Sequence, residues 1–249
     1  LWGVTLYGAA RYFIVDGPKH ERYLAALAGP MPIDTARWHA RHQPAPLAFS
    51  NVRVEALGNQ RYDLFVEVQN PNDAWTIDEL RYDFRWNDQA KVVEESTFIL
   101  PGQKKYLIAL GVESATTPTA VRLEVLKQRW HRVTNYQVTA AEKLALDISA
   151  PEFVPAEKIT GRAAIAKTRF TVTNNSAYGF WQVGFFIGLY QGQRLAALNY
   201  VVQTGLESLE RRTIEVNWYQ PLANPTRIEV LPDVNILYPG VFKPMSISQ

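Results

Sequence analysis

The sequence contains no cysteine among its 249 residues. This absence excludes disulfide bonds, zinc sites with cysteine ligands and catalysis by a thiol. It does not decide the compartment, because domains of roughly a hundred residues can bury enough apolar surface to fold without disulfides.

Motifs of several enzyme classes are missing as well. The chain has no G-x-G-x-x-G or G-x-x-x-x-G-K-[ST] phosphate-binding loop and no G-x-S-x-G nucleophile elbow. Histidine is scarce, and His39 and His42 lack the glutamate that accompanies them in an H-E-x-x-H zinc motif. We therefore interpret these histidines as structural or solvent-exposed. The sequence predicts a protein that is not an enzyme, with no catalytic residue, no metal site and no cofactor.

A strong charge of either sign is also lacking. The net charge is +2, and the 26 basic and 24 acidic residues are mostly interspersed. A nucleic-acid-binding protein usually presents a dense face of lysine and arginine, so we predict no nucleic-acid partner. The densest basic segment is "LKQRWHR", Leu126 to Arg132. We interpret it as a solvated strand or linker between domains, with a weak contact to an anion as the alternative.

The composition indicates a globular protein rich in β-structure. Hydrophobic residues make up 47% of the chain and aromatic residues 12%, with seven tryptophans. Aromatic and β-branched residues favour strands. Because domains usually run to ~100–150 residues, the length indicates two domains.

The first fifteen residues, "LWGVTLYGAARYFIV", are largely apolar and carry one charge, Arg11. A membrane-spanning helix needs ~20 apolar residues, so this segment would be the end of a span whose beginning is missing. The first residue is Leu1, which indicates a processed chain or a fragment. We predict an N-terminal hydrophobic helix that anchors the protein in a membrane. The alternative is an amphipathic or buried helix that packs on the protein's own domains.

From Leu47 onward, short alternating segments are separated by turn residues, as in an antiparallel sandwich. The second half of the chain repeats this order. "KTRFTVTNNS" corresponds to "RYDLFVEVQNPND", with Asn174 in the place of Asn70, and "NPTRIEVL" corresponds to "TPTAVRLEVL". A repeat of this length indicates two similar domains in tandem rather than a solenoid.

The predicted fold class is all-β: two tandem immunoglobulin-like antiparallel β-sandwiches preceded by an N-terminal hydrophobic helix. The segment between the sandwiches has no glycine or proline, so we expect an ordered connector. In it, Trp130 and Tyr136 should be buried between the sandwiches or against the N-terminal segment. The predicted divisions are a helix and Pro-rich connector at 1–45, the first sandwich at 46–126, the connector at 127–142, the second sandwich at 143–239 and a C-terminal tail at 240–249.

The run "FTVTNNSAYGFWQVGFFIGLYQGQRLAALNYVV" resembles the tandem immunoglobulin-like, FxLyD-type domains of membrane-anchored bacterial envelope proteins. In that family a strand ending in V-x-N precedes a hairpin with an L-Y-D-G-like turn, which Leu189 to Gly192 resembles. Leu100 to Gly102 resembles the later turn of the family in the first domain. The sequence departs from the pattern at Arg85 to Asp88 and at Thr204-Gly205. The resemblance implies an extracytoplasmic, N-terminally anchored interaction module without catalytic residues.

The loop "NNSAYGFWQV" is the best candidate for a binding site. It contains Tyr178, Phe180 and Trp181, and the matching loop of the first domain carries Trp75. Aromatic side chains in loops on a rigid sandwich can anchor a sugar or a peptide. The alternative interpretation is that these rings fill the end of the sandwich or the interface between domains.

Together these features predict a non-catalytic, membrane-tethered structural or interaction protein on the periplasmic or extracellular side of a membrane. Its expected partners are the membrane, through the N-terminal segment, and other protein subunits of a larger envelope or membrane assembly. The alternative function is a ligand-binding module that uses the loop aromatics.

Overall fold

Strands dominate the computed structural model, which describes residues 2–12, 19, 21–23, 43–86, 89–156, 165–220 and 222–244. The helices are α1 (Trp2–Arg11) and α2 (Tyr136–Lys143), and a 3₁₀-helix covers Pro239–Val241. The first seven strands are β1 (Ala48–Phe49), β2 (Arg53–Gly58), β3 (Arg61–Gln69), β4 (Trp75–Trp86), β5 (Gln89–Ile99), β6 (Lys104–Glu113) and β7 (Arg122–Arg132). The others are β8 (Leu146–Val154), β9 (Ala166–Asn174), β10 (Phe180–Gln191), β11 (Arg194–Leu206), β12 (Arg211–Trp218) and β13 (Arg227–Asp233).

All pairs of these strands are antiparallel, which confirms the predicted all-β, antiparallel class.

Residues 1–43 form one compact unit and residues 44–249 another. In the first unit, α1 has ten residues. At 1.5 Å per residue it is ~15 Å long, about half the thickness of a hydrocarbon core.

Across the described ranges, no helix has both the length and the apolar character needed to cross a membrane. The remainder of the apolar N-terminal segment, and the proposed connector with His39 and His42, fall outside the described residues.

The strands of the second unit form four sheets. Sheet A consists of β1, β2, β3 and β6, with β3 between β6 and the consecutive strands β1 and β2. Sheet B has the order β5-β4-β7. Sheet C has the order β12-β9-β8, and sheet D has the order β11-β10-β13. We refer to residues 44–132 as the first half and to residues 136–244 as the second half.

The two halves have the same order of strand pairing. Strands β8, β9 and β12 pair as β1/β2, β3 and β6 do, and β10, β11 and β13 pair as β4, β5 and β7 do. The repeat seen in the sequence therefore has a counterpart in the topology. Strand β7 continues to Arg132, so the first six residues of the proposed connector belong to this strand, and α2 covers most of the remainder.

Three apolar clusters place the sheets in the order B, A, D, C. The first-half cluster, which includes Leu64 and Phe84, lies between sheets A and B. The second-half cluster, which includes Phe170 and Phe185, lies between sheets C and D. A third cluster joins sheet A to sheet D. Strand β9 shows the underlying pattern, because its buried residues alternate with more exposed ones at the period of two that is typical of a strand.

Equivalent turns precede β6 and β12, and each has a residue with positive φ at its third position. In the first half this residue is Gly102, with a φ of 66°, and the N–H of Gln103 donates to the carbonyl of Leu100. In the second half it is Leu209, with a φ of 59°. Only glycine adopts this left-handed conformation without steric cost. The turn that corresponds to Leu100–Gly102 is thus the one at Leu209 and not Thr204-Gly205.

Replacing Leu209 by glycine should raise the free energy of unfolding by about 0.5–1 kcal/mol, because it relieves the left-handed strain. Leu209 is 75% exposed, so little packing is lost with its side chain. The reciprocal change, Gly102→Leu, should lower the free energy of unfolding by a similar amount. Urea unfolding followed by circular dichroism measures both, and a destabilised Leu209→Gly variant would contradict the assignment of strain.

Candidate functional site

A buried asparagine organises the loop after β3. The Asn70 amide nitrogen donates to the carbonyl oxygens of Trp75 at 2.6 Å and Leu100 at 3.0 Å. Its side-chain oxygen accepts from the backbone N–H of Asn72 at 3.1 Å. Asn70 is fully buried, so these bonds replace the water that its amide would otherwise bind. The side chain therefore ties the loop to the turn between β5 and β6.

Asn174 makes the same set of bonds in the second half. Its amide nitrogen donates to the carbonyl oxygens of Tyr178 and Glu207, both at 2.8 Å, and its oxygen accepts from the N–H of Ser176 at 3.1 Å. Asn174 is also fully buried. The correspondence between Asn70 and Asn174 in the sequence thus extends to their hydrogen bonds.

The proposed binding loop packs against the C-terminal residues of the second half. Phe180 is fully buried and belongs to the second-half cluster. Its ring lies 5.5 Å from that of Phe242, and the Tyr178 ring lies 5.2 Å from Phe242. The Tyr178 hydroxyl donates to Glu142 of α2 at 2.9 Å. Both rings thus pack against Phe242, and Phe180 lies within the second-half cluster.

Trp181 is the proposed binding residue that remains at the surface. Its ring is 52% exposed, and the Lys243 ammonium lies 5.3 Å from the ring centroid. Trp75 opens β4 in the first half, opposite Arg132 on β7. Trp75 and Tyr178 hold equivalent positions, because each supplies the carbonyl that the buried asparagine binds. Trp75 thus lies in the first half, and the other three aromatics lie in or just before β10 of the second half.

A third apolar cluster lies at the interface between the halves. Phe65 and Tyr106 project from sheet A, and they meet residues of sheet D. The buried members from sheet D are Phe186, Tyr190, Leu195 and Leu198. Burying a large apolar side chain contributes roughly 1.5–3 kcal/mol, so this layer couples the two halves strongly.

Tyrosine hydroxyls cross the same interface. The hydroxyls of Tyr106 and Tyr190 are 2.9 Å apart, and the Tyr190 hydroxyl donates to Glu229 at 2.6 Å. Burial raises the pKa of Tyr106, and its bond to Tyr190 adds to this effect. Lys104 lies 3.1 Å from Glu67 and 3.7 Å from Glu229, so it bridges carboxylates of both halves.

A buried ion pair completes the connection. The Lys105 ammonium lies 2.7 Å from Asp233 and also donates to the Thr97 hydroxyl at 2.8 Å and the Phe98 carbonyl at 3.2 Å. Burial lowers the pKa of Lys105, and the charge of Asp233 opposes that shift. Gly184 leaves room beside this pair for Tyr200, because a Cβ at position 184 would clash with the Tyr200 hydroxyl.

Two carboxylates face each other beside the interface. Glu55 on β2 is directly opposite Asp63 on β3, and like charges in this position destabilise a sheet. Burial raises the pKa of Glu55 to about 7, and Asp63 adds to the shift while Arg194 and Arg53 oppose it. Burial also raises the pKa of Asp63, against the N–H of Gly111, which donates to it at 2.7 Å.

Replacing Glu55 by glutamine should stabilise the protein at pH 8 and have little effect near pH 4.5. Between its unfolded pKa of 4.5 and its folded pKa of about 7, Glu55 keeps its proton only when folded. The wild type therefore gains stability as the pH falls through this window and carries the full penalty above it. The shift corresponds to ~3 kcal/mol at most, which partial solvent contact reduces to about 1–2 kcal/mol.

Chemical denaturation at pH 8 and pH 4.5 measures this effect. Glu152→Gln, at an exposed position on β8, is the matched control and should change stability equally little at both pH values. Equal stabilities of Glu55→Gln and wild type at pH 8 would contradict the prediction.

The residues that join the halves were not identified from the sequence. Lys105 stood in a basic pair before a strand, which is typical of a solvated position, and its partner lies 128 residues away. Phe242 and Lys243 belonged to the proposed tail, yet they pack on the loop aromatics. Within the described ranges, no group of three or more histidine, aspartate or glutamate side chains could hold a metal ion.

Comparisons with known proteins identify no family. No family model matches the chain, and no curated protein matches it. Among solved structures, the chain is similar to the transglutaminase of red sea bream with 13% identity and a TM-score of 0.21, over 82% of this chain and 32% of the transglutaminase chain. At this identity and TM-score, the similarity carries no argument about fold or function.

Proposed function

We propose that this chain is a non-catalytic structural or interaction protein in which two immunoglobulin-like sandwiches act as one rigid body. The interface between sheets A and D carries this proposal. Its apolar layer, the Tyr106–Tyr190 contact and the buried Lys105–Asp233 pair all oppose separation of the halves. A rigid pair of sandwiches holds its outer surfaces at fixed spacing, which suits a spacer or a scaffold in an assembly.

The tandem immunoglobulin-like, FxLyD-type assignment belongs to the same proposal. It is supported by the common strand order of the halves and by the equivalent bonds of Asn70 and Asn174. The apolar sequence of the first fifteen residues supports a membrane tether. The resemblance to envelope proteins supports a periplasmic or extracellular location for the sandwiches. Other subunits of a membrane or envelope assembly are the proposed partners.

Fractionation of the full-length gene product in its native cells tests the tether and the assembly. The protein should enter the membrane fraction and, after detergent extraction, migrate as a complex larger than one chain. Recovery in the soluble fraction without detergent would overturn the tether, and a monomer in detergent would overturn the scaffold.

Backbone NMR relaxation tests the rigid body, because independent tumbling of the halves would contradict it.

The exposed ring of Trp181 supports a second candidate, a module that binds a sugar or a peptide. Trp181→Ala should then abolish binding while the fold stays intact, since the ring is half-exposed. Screening of the wild type and this variant against sugar and peptide arrays distinguishes this candidate from the scaffold, for which the variant would have no effect.

A further inference from the structure

The basic segment at the end of β7 lies on the edge of a sheet. Strand β7 has eleven residues, and among the described strands it pairs with β4 alone. An edge strand presents backbone N–H and C=O groups to which another strand can add. Four exposed basic side chains lie in its last six residues: Lys127, Arg129, His131 and Arg132.

Few acidic groups neutralise these side chains. Lys127 pairs with Glu79 at 2.8 Å. The register of β4 against β7 shifts at Asp78, whose carboxylate lies 3.9 Å from Arg129 and 3.4 Å from His131. In the part of the chain that the structure describes, no carboxylate pairs with Arg132. Asp78 therefore lies near Arg129 and His131, and Arg132 is left without a carboxylate partner among the described residues.

A groove of about 510 Å³ adjoins the same end of β7. Arg129 and Arg132 line it together with Asp78 of β4, and so do Asn235 and Tyr238. Tyr238 is 63% exposed and offers an apolar surface beside the charged groups. The groove thus presents two guanidinium groups and an exposed aromatic ring, against the carboxylate of Asp78.

We propose that this edge and groove bind an extended acidic peptide segment, which adds a strand beside β7 and places its carboxylates on Arg129 and Arg132. Main-chain hydrogen bonds supply affinity in this mode, and alternate side chains supply specificity. The inference rests on the proposed role as an interaction protein and specifies the chemistry of a partner. A second copy of the chain does not fit, because two such basic segments repel each other.

An anionic membrane surface fits less well. The basic side chains line a concave groove next to a strand edge, whereas a bilayer presents a broad surface without strand-pairing groups. The strand edge specifically favours a polypeptide partner.

Fluorescence anisotropy with a labelled peptide of repeating Glu-Glu-Val-Val, which presents carboxylates on both faces of an added strand, tests the proposal because Arg129 and Arg132 lie on opposite faces of β7. The full chain should bind this peptide, and salt should weaken binding. The double variant Arg129→Glu/Arg132→Glu should weaken binding about tenfold or more. Arg211→Glu is the matched control, because Arg211 is an exposed arginine on β12, an edge strand of sheet C, and this change should leave binding unaltered.

Two further peptides test the mode of binding. A peptide with lysine in place of glutamate should not bind, and one with proline in place of alternate valines should lose binding, because proline cannot pair along a strand. The proposal is overturned if the acidic peptide does not bind, if charge reversal has no effect, or if the proline peptide binds equally well. Binding of phosphatidylglycerol vesicles through these arginines, without peptide binding, would replace it with a membrane contact.

These outcomes are separable from those of the proposed function. Loss of the peptide interaction with an intact membrane assembly would overturn this inference alone. Peptide binding by a protein that is soluble and monomeric in its native cells would overturn the scaffold alone.

Discussion

Replacing Lys105 by methionine should lower the free energy of unfolding by about 3–5 kcal/mol. Methionine has a similar length and fills the same space, but it leaves the carboxylate of Asp233 buried without its counter-ion. That carboxylate now lies 2.7 Å from the ammonium, and the two side chains are only 7% and 2% exposed. The loss should be visible as a lower midpoint in urea unfolding at pH 7 with little change in slope.

A double variant and a surface control identify the cause. Lys105→Met/Asp233→Leu removes both charges and should recover most of the lost stability, because paired charges in an interior contribute little beyond an apolar pair. Lys167→Met breaks the exposed pair with Glu215, whose side chains are 38% and 41% exposed, and should cost at most about 1 kcal/mol. If Lys105→Met were as well tolerated as Lys167→Met, the ion pair would not join the halves.

The interior of each sandwich follows from local sequence pattern. Alternation along β9 and the turn residues between strands are sufficient to predict antiparallel strands, since each strand buries one face. Asn70 and Asn174 could be matched because both follow an alternating strand and precede an aromatic loop. The same reasoning placed Tyr178 and Phe180 together, although only the structure shows that Phe242 covers them.

The contact between the halves required information that alternation does not contain. One signal was present in the sequence: residues 183–190 of β10 read VGFFIGLY without a charged residue, as in strands that are covered on both faces, and the structure buries all of them. This pattern predicts a second layer but not its partner. The Lys105–Asp233 pair depends on two residues far apart in sequence, each of a type that is usually exposed.

Strand β7 and the turn at Leu209 are two further places where the sequence alone did not predict the structure. The basic residues at 127–132 are typical of a solvated linker. An edge strand with one exposed face carries the same residue types, so the sequence does not distinguish the two. A turn that needs a left-handed residue usually has glycine there, so Gly205 was the natural candidate for the turn before β12. In the structure, Leu209 adopts the left-handed conformation of this turn, and its backbone is strained as a result.

Replacing Asn174 by aspartate should lower the free energy of unfolding by about 3 kcal/mol or more at pH 7. The change preserves shape, but the amide nitrogen that donates to the carbonyls of Tyr178 and Glu207 becomes an oxygen that repels them. The folded state would therefore raise the pKa of the new carboxyl above its unfolded value. Stability should then return partly as the pH falls toward 4, because a protonated carboxyl can donate one hydrogen bond.

Asn70→Asp should lose a similar amount, because Asn70 makes the equivalent bonds to Trp75 and Leu100. Asn175→Asp is the matched control: it lies next to Asn174, is exposed, and should change the free energy of unfolding by no more than about 0.5 kcal/mol. Urea unfolding of the three variants at pH 7 and pH 4 measures these effects. A large loss for Asn174→Asp with none for Asn70→Asp would show that the two asparagines do not have equivalent structural roles.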